Sequence, residues 1–108
     1  LGISGIYDMR PLIPVAVNEV IKLDERQARC TSPLLWPTPT GVFETWVGEI
    51  ESDEFRRQSR TLVAAWLGAG VDARYREAPG ADHFTVIAPL AQPDSAITRA
   101  FAQLCGAP

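Results

Sequence analysis

Apolar positions follow two rhythms along the chain, and the change from one to the other marks its central feature. From Gly41 to Gly48 (GVFETWVG) the apolar residues Val42, Phe43, Trp46 and Val47 fall on both faces, the pattern of a buried parallel strand, with Glu44 the misfit. A cluster of acids follows at Glu49, Glu51, Asp53 and Glu54. The rhythm then lengthens to a helical one, with Phe55, Ser59, Leu62, Val63, Trp66 and Leu67 on one face. Ser52 can cap this helix, Asp53 and Glu54 suit the positive end of its dipole, and Gly70 is the expected stop. Val71, Ala73 and Tyr75 next alternate with Asp72, Arg74 and Arg76, which predicts a strand over Val71 to Glu77 with one wetter face, near an edge of the sheet.

Pro79-Gly80 closes that strand, and Asp82-His83-Phe84 follows it. From Asp94 a last amphipathic helix places Ile97, Ala100, Phe101, Leu104 and Cys105 on one face and ends at Gly106 and Pro108. Before the central strand the signals are weaker. Leu1 to Tyr7 (LGISGIY) predicts the tail of a strand, near Leu1 to Ser4, emptying into a loop at Asp8. The prolines of Arg10-Pro11-Leu12-Ile13-Pro14 then exclude regular structure. Val15 to Ile21 suits a short helix, Asp24 caps a second (DERQARC), and Pro33, Pro37 and Pro39 mark an irregular connection. Strand, helix, strand, helix with long crossovers implies parallel strands and right-handed connections, so the expected fold is a three-layer α/β domain over residues 1–108.

Composition adds mainly exclusions. The 108 residues are 46% hydrophobic and 21% charged, ordinary for a globular domain, and no apolar run approaches the length of a spanning helix. A net charge of −3 without a run of Lys or Arg leaves no footprint for a nucleic acid. Arg56, Arg57 and Arg60 read as a solvated helix face. Cys30 and Cys105 are isolated, with no metal-ligand spacing, and read as buried or idle thiols. With one histidine and no HExxH, neither a metal nor a cofactor is expected. Trp36, Trp46 and Trp66 suit core or rim positions. The chain begins at Leu1 with neither a methionine nor a signal region, so its natural beginning is expected elsewhere.

The chemistry gathers where strands end. In open α/β sheets the loops at the carboxyl ends of strands converge on one crevice. Glu51 follows the first long strand, and the sole histidine, His83, follows the second, 32 residues later. A carboxylate and a histidine so placed are two members of a catalytic triad. Glu49, Asp53 and Glu54 compete for the acid role, although the helix dipole already accounts for the last two. Ser4 stands in GISGI, but the nucleophile elbow G-x-S-x-G needs glycine where this chain has Ile6, so Ser4 is not taken as the nucleophile.

The runs SGIYD (Ser4 to Asp8), SPL (Ser32 to Leu34), VGEIESDEFRRQS (Val47 to Ser59) and DHF (Asp82 to Phe84), in this order, resemble the carboxyl-terminal third of serine-type α/β-hydrolases, nearest to the arylformamidase and small-esterase branch. The resemblance implies a partial hydrolase sheet of about strands six to eight. It places Glu51 at the triad acid, where the family often has aspartate, and His83 at the triad histidine. It also implies an upstream half with the nucleophile elbow and the oxyanion loop, neither of which occurs in these 108 residues. The expectation is then a cytoplasmic acyl hydrolase for a small-molecule ester or aryl formamide, inactive as this chain alone. The alternative is a non-catalytic remnant that self-associates. Without its neighbouring strand the edge near Leu1 to Ile6 would be open, which predicts a homodimer.

Overall fold

Three parallel strands form the frame in the computed structural model, which describes residues 1–106. They are β1 (Gly2–Ile3), β2 (Val42–Gly48) and β3 (Asp72–Ala78), in the order β1-β2-β3. Gly2 stands beside Thr45 in the first pair, and Val42 to Gly48 run beside Asp72 to Ala78 in the second. The helices are α1 (Asn18–Ile21), α2 (Glu25–Cys30), α3 (Asp53–Gly68) and α4 (Ala96–Leu104). Single 3₁₀ turns lie at Arg10–Leu12, Pro33–Leu35 and Ala88–Ala91. Both long strands and the short first one thus appear, parallel as expected. The expected end at Pro108 lies outside the described residues.

The core lies between α3 and one face of the sheet. Val63, Val71 and Ala73 are buried there, with Phe43, Trp66 and Tyr75 packed around them, and the rings of Phe43 and Trp66 meet edge-on at 4.7 Å. Leu62 is fully buried. Removing the apolar surface of these side chains from water supplies the main driving force, at about 25 cal/mol per Å². Neighbouring residues on a strand point to opposite faces, so Glu44 and Arg74 project to the other side. There they line a cleft with Ala100 and Leu104 of α4. The sheet is therefore flanked on both faces, but unequally.

Several local expectations need correcting. Leu67, expected on the packed face of α3, is 53% exposed. It sits in the last turn, level with the start of the strands, where Val42 is also exposed and the sheet runs out. Phe101 is likewise exposed, so α4 buries Ile97 fully and Ala100 and Leu104 only partly. The helix expected over Val15 to Ile21 shrinks to one turn. Val15, Val17, Val20 and Ile21 are all exposed, and a turn that buries no residue does not propagate. Ser52 precedes α3, but its side chain makes no capping bond. Asp24 caps α2 as expected, in a reciprocal box with Gln27. Trp46 and Trp66 are half-buried and Trp36 is exposed. Cys30 and Cys105 are both exposed, so neither is a core thiol.

Candidate active site

β2 and β3 run in the same direction, so the loops that leave them lie side by side, and the backbone stitches those loops together. Glu49 N–H donates to Ala78 O at 3.0 Å and Ile50 N–H to Ala81 O at 3.1 Å, while Glu49 Oε2 accepts from Gly80 N–H at 2.7 Å. Gly48 makes the approach possible, since a Cβ there would lie 2.3 Å from Ala81 O. The Asp82 side chain then closes a tight turn, with Oδ1 accepting from Phe84 N–H, Thr85 N–H and the Thr85 hydroxyl. Val86, 1% exposed, anchors that turn. The bonds from the Thr85 backbone and hydroxyl and from Phe84 hold the Asp82 carboxyl below the usual aspartate range.

These constraints bring Glu51 and His83 together. His83 Nδ1 lies 2.9 Å from Glu51 Oε2, the carboxylate side chain is fully buried, and the imidazole is 47% exposed. An ionised carboxylate can only accept, so Nδ1 carries the proton, and Nε2, on the far side of the ring, has no hydrogen-bond partner among the described residues. The ring stacks on Phe55 at 4.5 Å, and Phe84 meets it edge-on at 5.7 Å. Glu51 Oε1 accepts twice, from Gly48 N–H at 2.7 Å and from the Ser4 hydroxyl. Burial alone would push the Glu51 carboxyl up, but the bonds from Ser4, Gly48 and His83 together outweigh it and hold the group below its ordinary value.

The competing acids are engaged elsewhere: Glu49 with Gly80, Asp53 with Arg56, and Glu54 with Arg57 and Gln58. Of the arginines on α3, Arg60 pairs with Glu77 across to β3. Ser4, set aside as a nucleophile, donates to the acid instead, and sequence spacing gave no sign of that contact. Gln58 was also missed. Its Oε1 accepts from Tyr7 N–H at 3.0 Å and Asp8 N–H at 2.7 Å, and its Nε2 donates to Asp8 O at 2.9 Å. It ties the loop after Ser4 to α3. Ser32 does the same from α2, accepting from Met9 N–H and donating to Ala28 O. Three of the four resembling runs thus meet at Glu51, through Ser4, Gly48 and His83, while Ser32 of the fourth braces the loop that follows Ser4. Among the described residues, no three His, Cys, Asp or Glu side chains cluster as metal ligands. Among them too, no helix is long and apolar enough to cross a membrane.

No family model matches the chain. Individual proteins do. Kynurenine formamidase from Danio rerio is 29% identical over 110 residues, covering 96% of this chain and 38% of that enzyme. The kynurenine formamidase of Salmo salar is 30% identical over 96% of the chain and 38% of the enzyme, and that of Drosophila melanogaster 31% over 90% and 35%. The chain resembles part of a kynurenine formamidase. It spans a little over a third of the length of these relatives. The crystal structure of a candidate thioesterase from Silicibacter sp. TM1040 superimposes with a TM-score of 0.80 at 36% identity, over 90% of this chain and 36% of that one. The chain is thus similar to parts of proteins named as formamidases and as a thioesterase, and the structural neighbour shares its α/β architecture of parallel strands with flanking helices.

Proposed function

We propose that this chain supplies the acid and the histidine of a serine-type acyl hydrolase acting on a carboxylic ester or an aryl formamide. The observation that carries this reading is the 2.9 Å bond between the buried Glu51 carboxylate and Nδ1 of an otherwise exposed imidazole. A triad histidine needs its acid on one ring nitrogen and its nucleophile on the other, and this pairing leaves Nε2 for the second role. His83 then takes the proton of an attacking serine as the hydroxyl oxygen bonds to the acyl carbon. It returns the proton to the departing alcohol or amine, and water repeats the cycle to release the acid. Glu51 fixes the tautomer and stabilises the imidazolium while the proton is on the ring. Phe55 and Phe84, packed on the face and edge of the ring, limit its rotation.

The nucleophile and oxyanion donors come, in this reading, from outside the 108 residues, as in a sheet of which these are about strands six to eight. The isolated chain then has no turnover. The test is labelling of the natural gene product by a fluorophosphonate probe, beside hydrolysis of an aryl formamide and an aryl ester. His83→Ala and Glu51→Ala should each lower labelling and turnover by orders of magnitude, about 10⁴-fold for the acid. Retention of both activities in either variant overturns the assignment. A second reading, self-association without catalysis, is favoured by one observation: β1 is an outer strand, with Leu1 and Ile6 exposed beside it.

A further inference from the structure

We propose that Ser4 is the positioning residue of this acid–histidine pair, a role that rests on the reading of Glu51 and His83 given above. Its hydroxyl and the Gly48 N–H both donate to Glu51 Oε1, so that Oε2 alone is presented to His83. Glutamate has one more rotatable bond than the aspartate common at such a position, so its carboxylate can swing and tilt. Two donors from different strand ends on one oxygen remove that freedom, whereas without Ser4 the Gly48 bond alone would hold Oε1 and the group could tilt about it, carrying Oε2 off the His83 ring plane.

The backbone holds Ser4 tightly in this position. The residue is buried, with φ of 44°, in the left-handed region that non-glycine residues occupy at a cost. Its N–H donates to Trp46 O at 2.8 Å, extending the β1–β2 ladder to the strand that leads into Gly48. Behind it the Tyr7 side chain folds back over Gly2 and Gly5, where a Cβ would lie 2.2 Å from the Tyr7 hydroxyl oxygen and 2.5 Å from the ring, respectively. The Tyr7 hydroxyl is bonded to Thr45 Oγ1 at 3.0 Å. The Ser4 proton goes to the carboxylate, which separates its role from that of a nucleophile, whose proton must go to the imidazole.

The test is solution NMR on the natural gene product, with Ser4→Gly, Ser4→Cys and Glu51→Gln beside the wild type. Two signals are read: the downfield Nδ1 proton of His83 and the carboxyl carbon of Glu51 through an acid titration. Thermal unfolding is followed in parallel. Glycine suits a φ of 44° and lacks the hydroxyl, so Ser4→Gly should keep or raise the unfolding midpoint. It should also move the Glu51 titration up by about one pH unit and weaken the Nδ1 proton signal through faster exchange. Ser4→Cys, with the same shape and a poorer donor, should fall between, and it decides the matter if the glycine variant does not fold. Wild-type values of both signals in these variants, whatever happens to the unfolding midpoint, overturn the proposal. If the wild type shows no Nδ1 proton signal that disappears in Glu51→Gln, the pairing itself fails and the role of Ser4 falls with it.

Discussion

Two buried glutamates on β2 and the loop that leaves it stand in contrasting surroundings. Glu44 is 4% exposed on the sheet face beneath α4, where Trp46 Nε1 donates to it at 2.7 Å and the Arg76 guanidinium lies 3.9 Å away. Both partners are near neighbours on the same face of the sheet. Glu51 is 6% exposed at the carboxyl end of the strands, and its partners come from the end of β1, the end of β2 and the loop after β3. Strand pairing alone satisfies Glu44, whereas Glu51 needs three separate chain segments to meet. A buried carboxylate that requires so much of the surrounding fold, with an exposed imidazole as one of its partners, is the one to associate with function.

Substitution should separate the two most sharply in catalysis. In the natural gene product Glu51→Ala should lower turnover by about 10⁴-fold, the scale of losing a triad acid, while Glu44→Ala should leave it within about tenfold, on the ground that an interaction outside the reacting atoms contributes little differential stabilisation. Steady-state hydrolysis of an aryl formamide or ester measures both, and equal losses would dissolve the contrast.

Gly48→Ala should come next. The added methyl must displace the Ala81–Asp82 backbone, at a cost of about 1–3 kcal/mol in urea unfolding. His83 should move with that backbone, so activity should fall further than stability does. Gln58→Ala should do the reverse. It leaves the N–H groups of Tyr7 and Asp8 without their acceptor, costing about 1–3 kcal/mol, and it reaches the acid only through the loop that carries Ser4.

The smallest effect is on acid stability. The folded pKa of Glu51 lies below its ordinary 4.5, so its contribution is fully present above that value and is lost as pH falls through the lower folded one. Urea midpoints taken downward from pH 5 should therefore decline less steeply in Glu51→Gln than in the wild type. The same slope in both would show that the buried pair does not govern acid stability.

Much of this was present in the primary structure. The double-faced run from Val42 to Val47 and the helical stripe from Phe55 to Trp66 fix β2 and α3, because burial of apolar surface follows directly from their spacing. The parallel sense of the strands follows from the crossover lengths, and from it the shared edge where Glu51 and His83 lie. Leu67 and Phe101 escaped, since periodicity says which face a residue occupies and not where the opposing surface ends. Ser52 was placed correctly at the start of α3, but whether its hydroxyl caps the helix depends on a rotamer that no pattern encodes. The contacts that complete the site belong to tertiary structure alone. Ser4, Gln58 and Ser32 are small or polar residues whose partners lie 47, 50 and 23 positions away, and a hydrogen bond at that range leaves no periodic trace. The sequence determines which segments become strands and helices through short-range propensity and apolar spacing. Which hydroxyl meets which carboxylate is decided only when those segments close into one sheet, because hydrogen bonds are directional and act over about 3 Å.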